Sequence, residues 1–171
     1  MPAERKHAKP VPPSFRLYPD ASRTDFILAM DQPYMQQIAS GLKTYEFRRY
    51  LIPREVKRVW FYVTSPEKRI SHICEIDEAR TRNPGDEPLP LDGLGNREYN
   101  ERHADWNGYD YAYQIKSVYE LREPLTLARM KEQFGRKGAP RGREYVKLAM
   151  MDAVPLEEQI KILPMATSSE G

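Results

Sequence analysis

The apolar residues of this chain come in short runs, and that limits what it can fold into. FILAM (26–30), RVWFYV (58–63), ISHICEI (70–76) and YDYAYQIKSVYEL (109–121) each have the length and the aromatic or β-branched character of a strand. KTYEFRR (43–49) alternates: Thr44, Glu46 and Arg48 point one way, Lys43, Tyr45, Phe47 and Arg49 the other. Between the strands lie short helical patterns. Asp31-Gln32-Pro33 signals a helix start, Tyr34, Met35, Ile38 and Leu42 sit at helical spacing, and Gly41 supplies a C-terminal stop. Leu127, Met130, Lys131 and Phe134 repeat the pattern within 125–134 and end at Gly135. A last strand is expected over 144–150 and a short helix over 155–160. Short strands in the order β-α-β-β-β-loop-β-α-β predict an α+β fold, a small mixed-strand β-barrel with short helices packed on it.

Length and punctuation set the domain plan. At 171 residues the chain suits one domain with a core of its own. Residues 1–24 are Pro-rich and basic and read as a flexible arm. Residues 25–164 form the expected domain, and 165–171 a loose tail. The segment 80–108 carries Asn83-Pro84-Gly85, Pro88, Pro90, Gly93, Gly95 and Asn107-Gly108, too many breakers for an ordinary connector. Loops of that length are usually functional or disordered.

Several function classes drop out. No apolar run reaches the ~18 residues of a membrane span, and no signal-peptide core opens the chain, so a soluble, cytoplasmic, reducing setting is expected, with no membrane partner. One cysteine, Cys74, excludes a disulfide framework and any multi-thiolate zinc site. His7, His72 and His103 are scattered, and neither a metal nor a cofactor is implied. There is no P-loop, dinucleotide fingerprint or nucleophile elbow.

The net charge of +2 conceals an order. Residues 43–69 hold eight Lys and Arg against three acids, a net of +5; residues 75–110 hold four against ten, a net of −6; residues 111–147 hold nine against four, again +5. Basic segments interleaved with Tyr, Trp and Phe have what a nucleic-acid surface needs, cations for phosphates and rings for unpaired bases. The candidate nucleic-acid contacts are Arg48, Arg49, Lys57, Arg58, Lys68 and Arg69 in the first block, and Arg136, Lys137 and Arg141 in the Gly-rich loop of the second. A solvated mixed surface is the alternative.

The stretch ILAMDQPYMQQIASGLKTYEFR (27–48) resembles the opening of ASCH domains, a branch of the PUA-like superfamily. The pattern is an apolar strand, a short helix, then Gly-x-Lys-Thr-x-Glu-x-Arg, matched by Gly41, Lys43, Thr44, Glu46 and Arg48. The resemblance covers about 50 residues well and the C-terminal half only by element order. It implies a small PUA-like barrel, associated with RNA, with a cleft beside the motif. The family includes RNA readers, an acetylcytidine amidohydrolase and a ribonuclease. The amidohydrolase's catalytic Lys aligns with Lys43; its catalytic Thr falls where this chain has Glu46.

These residues define the expected site. Lys43, Thr44 and Glu46 are the candidate catalytic groups: burial can lower a Lys pKa and raise a Glu pKa toward the range where protons are exchanged, although an ion-pair ladder would use the same residues. Gln32, Tyr34, Glu75, Asp110 and Tyr111 are the candidate substrate contacts. Basic blocks beside acidic groups fit an RNA carrying a cationic substituent. The leading expectation is therefore a tRNA-binding enzyme for metal-free acyl transfer from aminoacyl-tRNA esters, like the arginine-containing cyclodipeptide synthases. A nucleoside amidohydrolase and a non-catalytic RNA reader are the alternatives.

Overall fold

The computed structural model describes residues 19–165. Most of the expected arm, and the tail after Met165, lie outside them. The chain forms β1 (Ala21–Met30), α1 (Gln32–Ala39), β2 (Tyr45–Arg48), β3 (Arg58–Val63) and β4 (Arg69–Ile76). After the long loop come α2 (Asn96–Asn100), a 3-10 turn (Ala104–Trp106), β5 (Tyr111–Thr126), α3 (Leu127–Phe134), β6 (Arg143–Lys147), α4 (Leu148–Ala153), a 3-10 turn (Leu156–Glu158) and β7 (Ile160–Leu163). The seven strands form one mixed sheet in the order β2-β5-β4-β3-β1-β6, with β7 on β5. β1 and β3 run parallel; β4 is antiparallel to β3 and β5, and β2 to β5. This is the expected small α+β barrel.

Two strands are buried on both faces, which explains why their sequences are apolar almost throughout. Phe26, Leu28 and Met30 of β1, with Val59, Phe61 and Val63 of β3, pack on Met35 and Ile38 of α1. The intervening Ile27, Trp60 and Tyr62 pack on Met130 of α3 and Met150 of α4. Successive side chains point to opposite faces, so two cores share these strands. A third core, of Tyr45, Phe47, Leu89, Tyr99 and Ala112, lies under the long loop.

Several boundaries differ from expectation. β1 begins at Ala21, not Phe26, so the end of the expected arm is strand. The strand expected over 144–150 ends at Lys147, and helix begins at Leu148, whose amide donates to the carbonyl of Asp20. The helix expected over 155–160 is one 3-10 turn, followed by β7 on the edge of β5. α3 is capped by Thr126, whose hydroxyl accepts from the amide of Arg129 at 3.1 Å. The 80–108 loop is built around α2 and a 3-10 turn. Among the described residues no helix is long and apolar enough to cross a membrane.

Candidate ligand cleft

A cleft of about 510 Å³ opens where the end of β1, the start of α1, β2 and the long loop meet. Its floor is β2: Glu46, Phe47 and Arg48, with Lys43 just before the strand. Ala29, Met30, Asp31 and Tyr34 form one side, Thr64 an edge, and Asp105, Trp106 and Tyr109 the opposite wall.

Local sequence explains how these groups meet. Asp31 is extended (φ −81°, ψ 145°) before Pro33, and α1 starts there. The Asp31 carboxylate does not cap the helix; it accepts from the Thr64 hydroxyl at 2.9 Å, tying α1 to the end of β3. Past the last residue of α1, Ala39, and its cap Ser40, Gly41 has φ +81°, a left-handed turn that glycine adopts without a side-chain clash. The chain reverses there, and the amide of Lys43 donates to the carbonyl of Gln37 at 3.0 Å. Lys43 thus lies between α1 and β2, in the cleft lining.

Lys43 and Glu46 are each only 7% exposed. The Lys43 ammonium sits over the Phe47 ring, 4.5 Å from its centroid, and makes no ion pair with a described residue. Burial lowers its pKa from the ordinary 10.5; the Glu46 charge opposes the shift and Arg48 adds to it. Arg48 Nε lies 3.5 Å from Glu46 Oε1. Glu46 Oε2 is buried without a hydrogen-bond partner. A buried carboxylate oxygen left unpaired costs free energy unless something binds there.

The wall from the long loop is built as firmly as the floor. Arg82, 9% exposed at its side chain, donates to the carbonyls of Tyr99 (2.9 Å) and Trp106 (3.0 Å) and pairs with Asp110 (3.3 Å). Its guanidinium lies over the Tyr99 ring at 4.9 Å. Arg80 donates to the Tyr45 hydroxyl (3.0 Å) and the Glu87 carbonyl (3.1 Å). Buried Asn96 donates to the Pro90 carbonyl (2.8 Å) and more weakly to the Thr44 hydroxyl (3.4 Å). These bonds seat Trp106 edge-on against Phe47, ring centres 4.8 Å apart.

Of the expected catalytic groups, Lys43 and Glu46 line the cleft; Thr44 does not, its hydroxyl facing Asn96. Of the expected substrate contacts only Tyr34, 52% exposed, is in the lining. Gln32 is half-buried on α1 outside it. Glu75 accepts from the Ser117 hydroxyl at 2.7 Å, beside Arg58 on the sheet. Asp110 is held by Arg82, and Tyr111 packs on the first core opposite Arg48. The basic residues divide too. Arg48 is in the floor and Arg49 stacks on Tyr109. Arg58 is bound to buried Asp25 (2.9 Å) and Arg136 forks onto Glu144 (2.8 and 2.9 Å), so both are committed within the fold. Lys57, Lys68, Arg69, Lys137 and Arg141 are exposed and none lines the cleft. Asp105, Trp106 and Tyr109 are not among the expected contacts; the breaker-rich loop is the sequence signal for the first two, while Tyr109, expected in a strand over 109–121, precedes β5, which begins at Tyr111. Among the described residues no three His, Cys, Asp or Glu side chains gather as a metal site requires. Cys74 is fully buried and burial pushes its thiol pKa far up, which removes it as a nucleophile.

No family model and no curated protein matches this sequence. Solved structures do. A serine-to-alanine mutant of the ASCH protein ZmASCH from Zymomonas mobilis aligns at TM-score 0.55 and 20% identity, over 78% of this chain and 95% of that one. ASCH from the same organism aligns at TM-score 0.51 and 19% identity, over 77% and 93%. At these identities the likeness establishes the fold alone, and it is the fold of these solved ASCH proteins.

Proposed function

We propose that the cleft binds a nucleobase, free or in RNA, and hydrolyses an amide on its exocyclic amine. The observation that carries this reading is the unpartnered, buried Oε2 of Glu46 on the same floor as the desolvated Lys43. The flat walls of Trp106, Tyr109 and Tyr34 suit a planar ring, and about 510 Å³ suits a nucleoside-sized ligand.

The two groups divide the proton traffic. Glu46 takes a proton from water as the water oxygen bonds to the acyl carbon. Lys43, a stronger acid than an ordinary lysine, neutralises the oxyanion and passes its proton to the nitrogen as the C–N bond breaks. The products are a carboxylic acid and a free amine, and the proton on Glu46 returns to Lys43 through solvent. No metal is required.

Acyl transfer from an aminoacyl-tRNA ester would use the same pair with an amine replacing water. It has less support here, because Glu75 and Asp110 lie outside the cleft lining and Arg58 and Arg136 are committed elsewhere. Incubation of the protein with N4-acetylcytidine and with acetylated RNA, following acetate release, tests the proposal. Release that falls about 100-fold in both Lys43→Met and Glu46→Gln supports it. A cyclic dipeptide from charged tRNA, or RNA binding without any turnover, would replace it.

A further inference from the structure

Arg48 and Arg49 are neighbours with opposite fates. Arg48 spends its guanidinium inside the fold, on the Ala29 carbonyl and Glu46. Arg49 follows the last residue of β2 and is exposed. It takes no hydrogen bond or ion pair from a described residue. Its guanidinium lies 4.3 Å from the centre of the Tyr109 ring, and Tyr109 lines the cleft edge-on to Trp106, ring centres 6.1 Å apart.

The backbone beneath the stack is a glycine. Gly108, just before Tyr109, has φ +86°, and a Cβ there would lie 2.5 Å from Arg49 Nη1. The positive φ favours glycine there, and the guanidinium rests against the bare backbone. Stacking covers one face of the planar cation and leaves its in-plane N–H groups free. A guanidinium presented in that way can fork onto two oxygens of one anion.

We propose that Arg49 is an anion subsite at the mouth of the cleft, and that the ligand is a nucleobase bearing a phosphate rather than a free nucleoside. The proposal rests on the nucleobase reading given above. The base lies against Trp106 and Tyr109, and the phosphate extends past Tyr109 to the edge of Arg49. The same chemistry is offered by a 5′-monophosphate and by a phosphodiester in an RNA strand.

Binding of cytidine, cytidine 5′-monophosphate and a cytidine trinucleotide to the full chain tests this, read by calorimetry. The monophosphate or the trinucleotide binds about tenfold more tightly than cytidine at low salt, and the advantage shrinks as salt rises. A tighter trinucleotide identifies the diester, a tighter monophosphate the monoester. In Arg49→Ala the ratio of phosphorylated to unphosphorylated affinity falls close to one. Equal affinities in the native protein, or a ratio that survives Arg49→Ala, overturn the proposal. Phenylglyoxal labelling of Arg49 separates this from the nucleobase reading. Protection by inorganic phosphate supports the subsite even where no nucleoside binds; labelling unaffected by phosphate and nucleotide alike counts against it.

Discussion

Arg48 on β2 donates from Nη2 to the carbonyl of Ala29 on β1, at 3.0 Å, although no described ladder joins those two strands. β2 starts the strand path and β1 stands fifth in it. β6 covers β1 only as far as the Leu28–Arg143 pair, so the last residues of β1 face the seam. The cleft opens along that seam, where a side chain takes the place of a ladder. Closing the barrel and shaping the site are therefore one task, and Arg48 serves both.

Arg48→Met should show this directly. It strands the Ala29 carbonyl and leaves Glu46 without its cation in a buried place, which costs about 3 kcal/mol. Arg48→Lys keeps the charge but cannot reach both partners with a planar fork, and should lose about 1 kcal/mol. Urea unfolding gives both numbers. A Met variant as stable as the native protein would remove Arg48 from the seam.

Arg82→Gln tests the opposite wall. The substitution breaks the bonds to the Tyr99 and Trp106 carbonyls and the pair with Asp110. Trp106 emission should shift to the red and acrylamide quenching should rise as the indole gains water. Trp60 supplies a fixed background, since it is buried and donates to Asp25 at 2.7 Å. In the proposed reaction KM should rise more than kcat falls, because the wall holds the ring and the floor does the chemistry. Unchanged emission would mean that Arg82 does not hold the wall.

Much of this architecture was legible in the sequence, and the exceptions have a common cause. RVWFYV reads as a core strand because it is apolar on both faces, and Gly41-x-Lys43-Thr44-x-Glu46 places two of its groups in the cleft. Along the chain, Arg58 belongs to a basic block and has the character of a phosphate contact. In the fold, parallel pairing sets Asp25 directly beside Arg58. That pairing joins residues 33 apart in sequence, and local pattern carries no trace of it. Strand alternation failed at Lys43 and Thr44 for a local reason: both precede β2, so the two-residue period does not yet apply to them. Trp106 lies in a loop whose order depends on the bond from Arg82 to its carbonyl, 24 residues along the chain, and Tyr109, expected in the strand 109–121, stands just before β5 begins at Tyr111.

Cys74 should be inert in the folded protein. It is fully buried in the first core, and burial disfavours its thiolate. Iodoacetamide should label it only after denaturant opens the barrel, at a rate that follows unfolding. Rapid labelling under native conditions would show that the core opens locally.

Lys43 gives the most direct pH signature. Burial lowers its pKa below 10.5, so between the lowered value and 10.5 the folded chain binds fewer protons than the unfolded chain. Stability must then rise with pH across that window. The cost of burying the ammonium is fully present below the lowered pKa and is relieved as pH climbs toward 10.5. Lys43→Met removes the titrating group and fills the same space with an apolar chain, so the alkaline rise should flatten and the variant should be at least as stable as the native protein at neutral pH. Thermal midpoints from pH 7 to 10.5 measure both effects. Under the proposed mechanism activity moves the other way: the native enzyme should lose kcat on the alkaline side at a pH below that of an ordinary lysine, as Lys43 gives up the proton it must donate, and Lys43→Met should be about 100-fold slower at every pH. A variant more stable than the native protein yet inactive would mark Lys43 as a residue kept for chemistry at the expense of the fold. A variant both unstable and inactive would make it a structural cation.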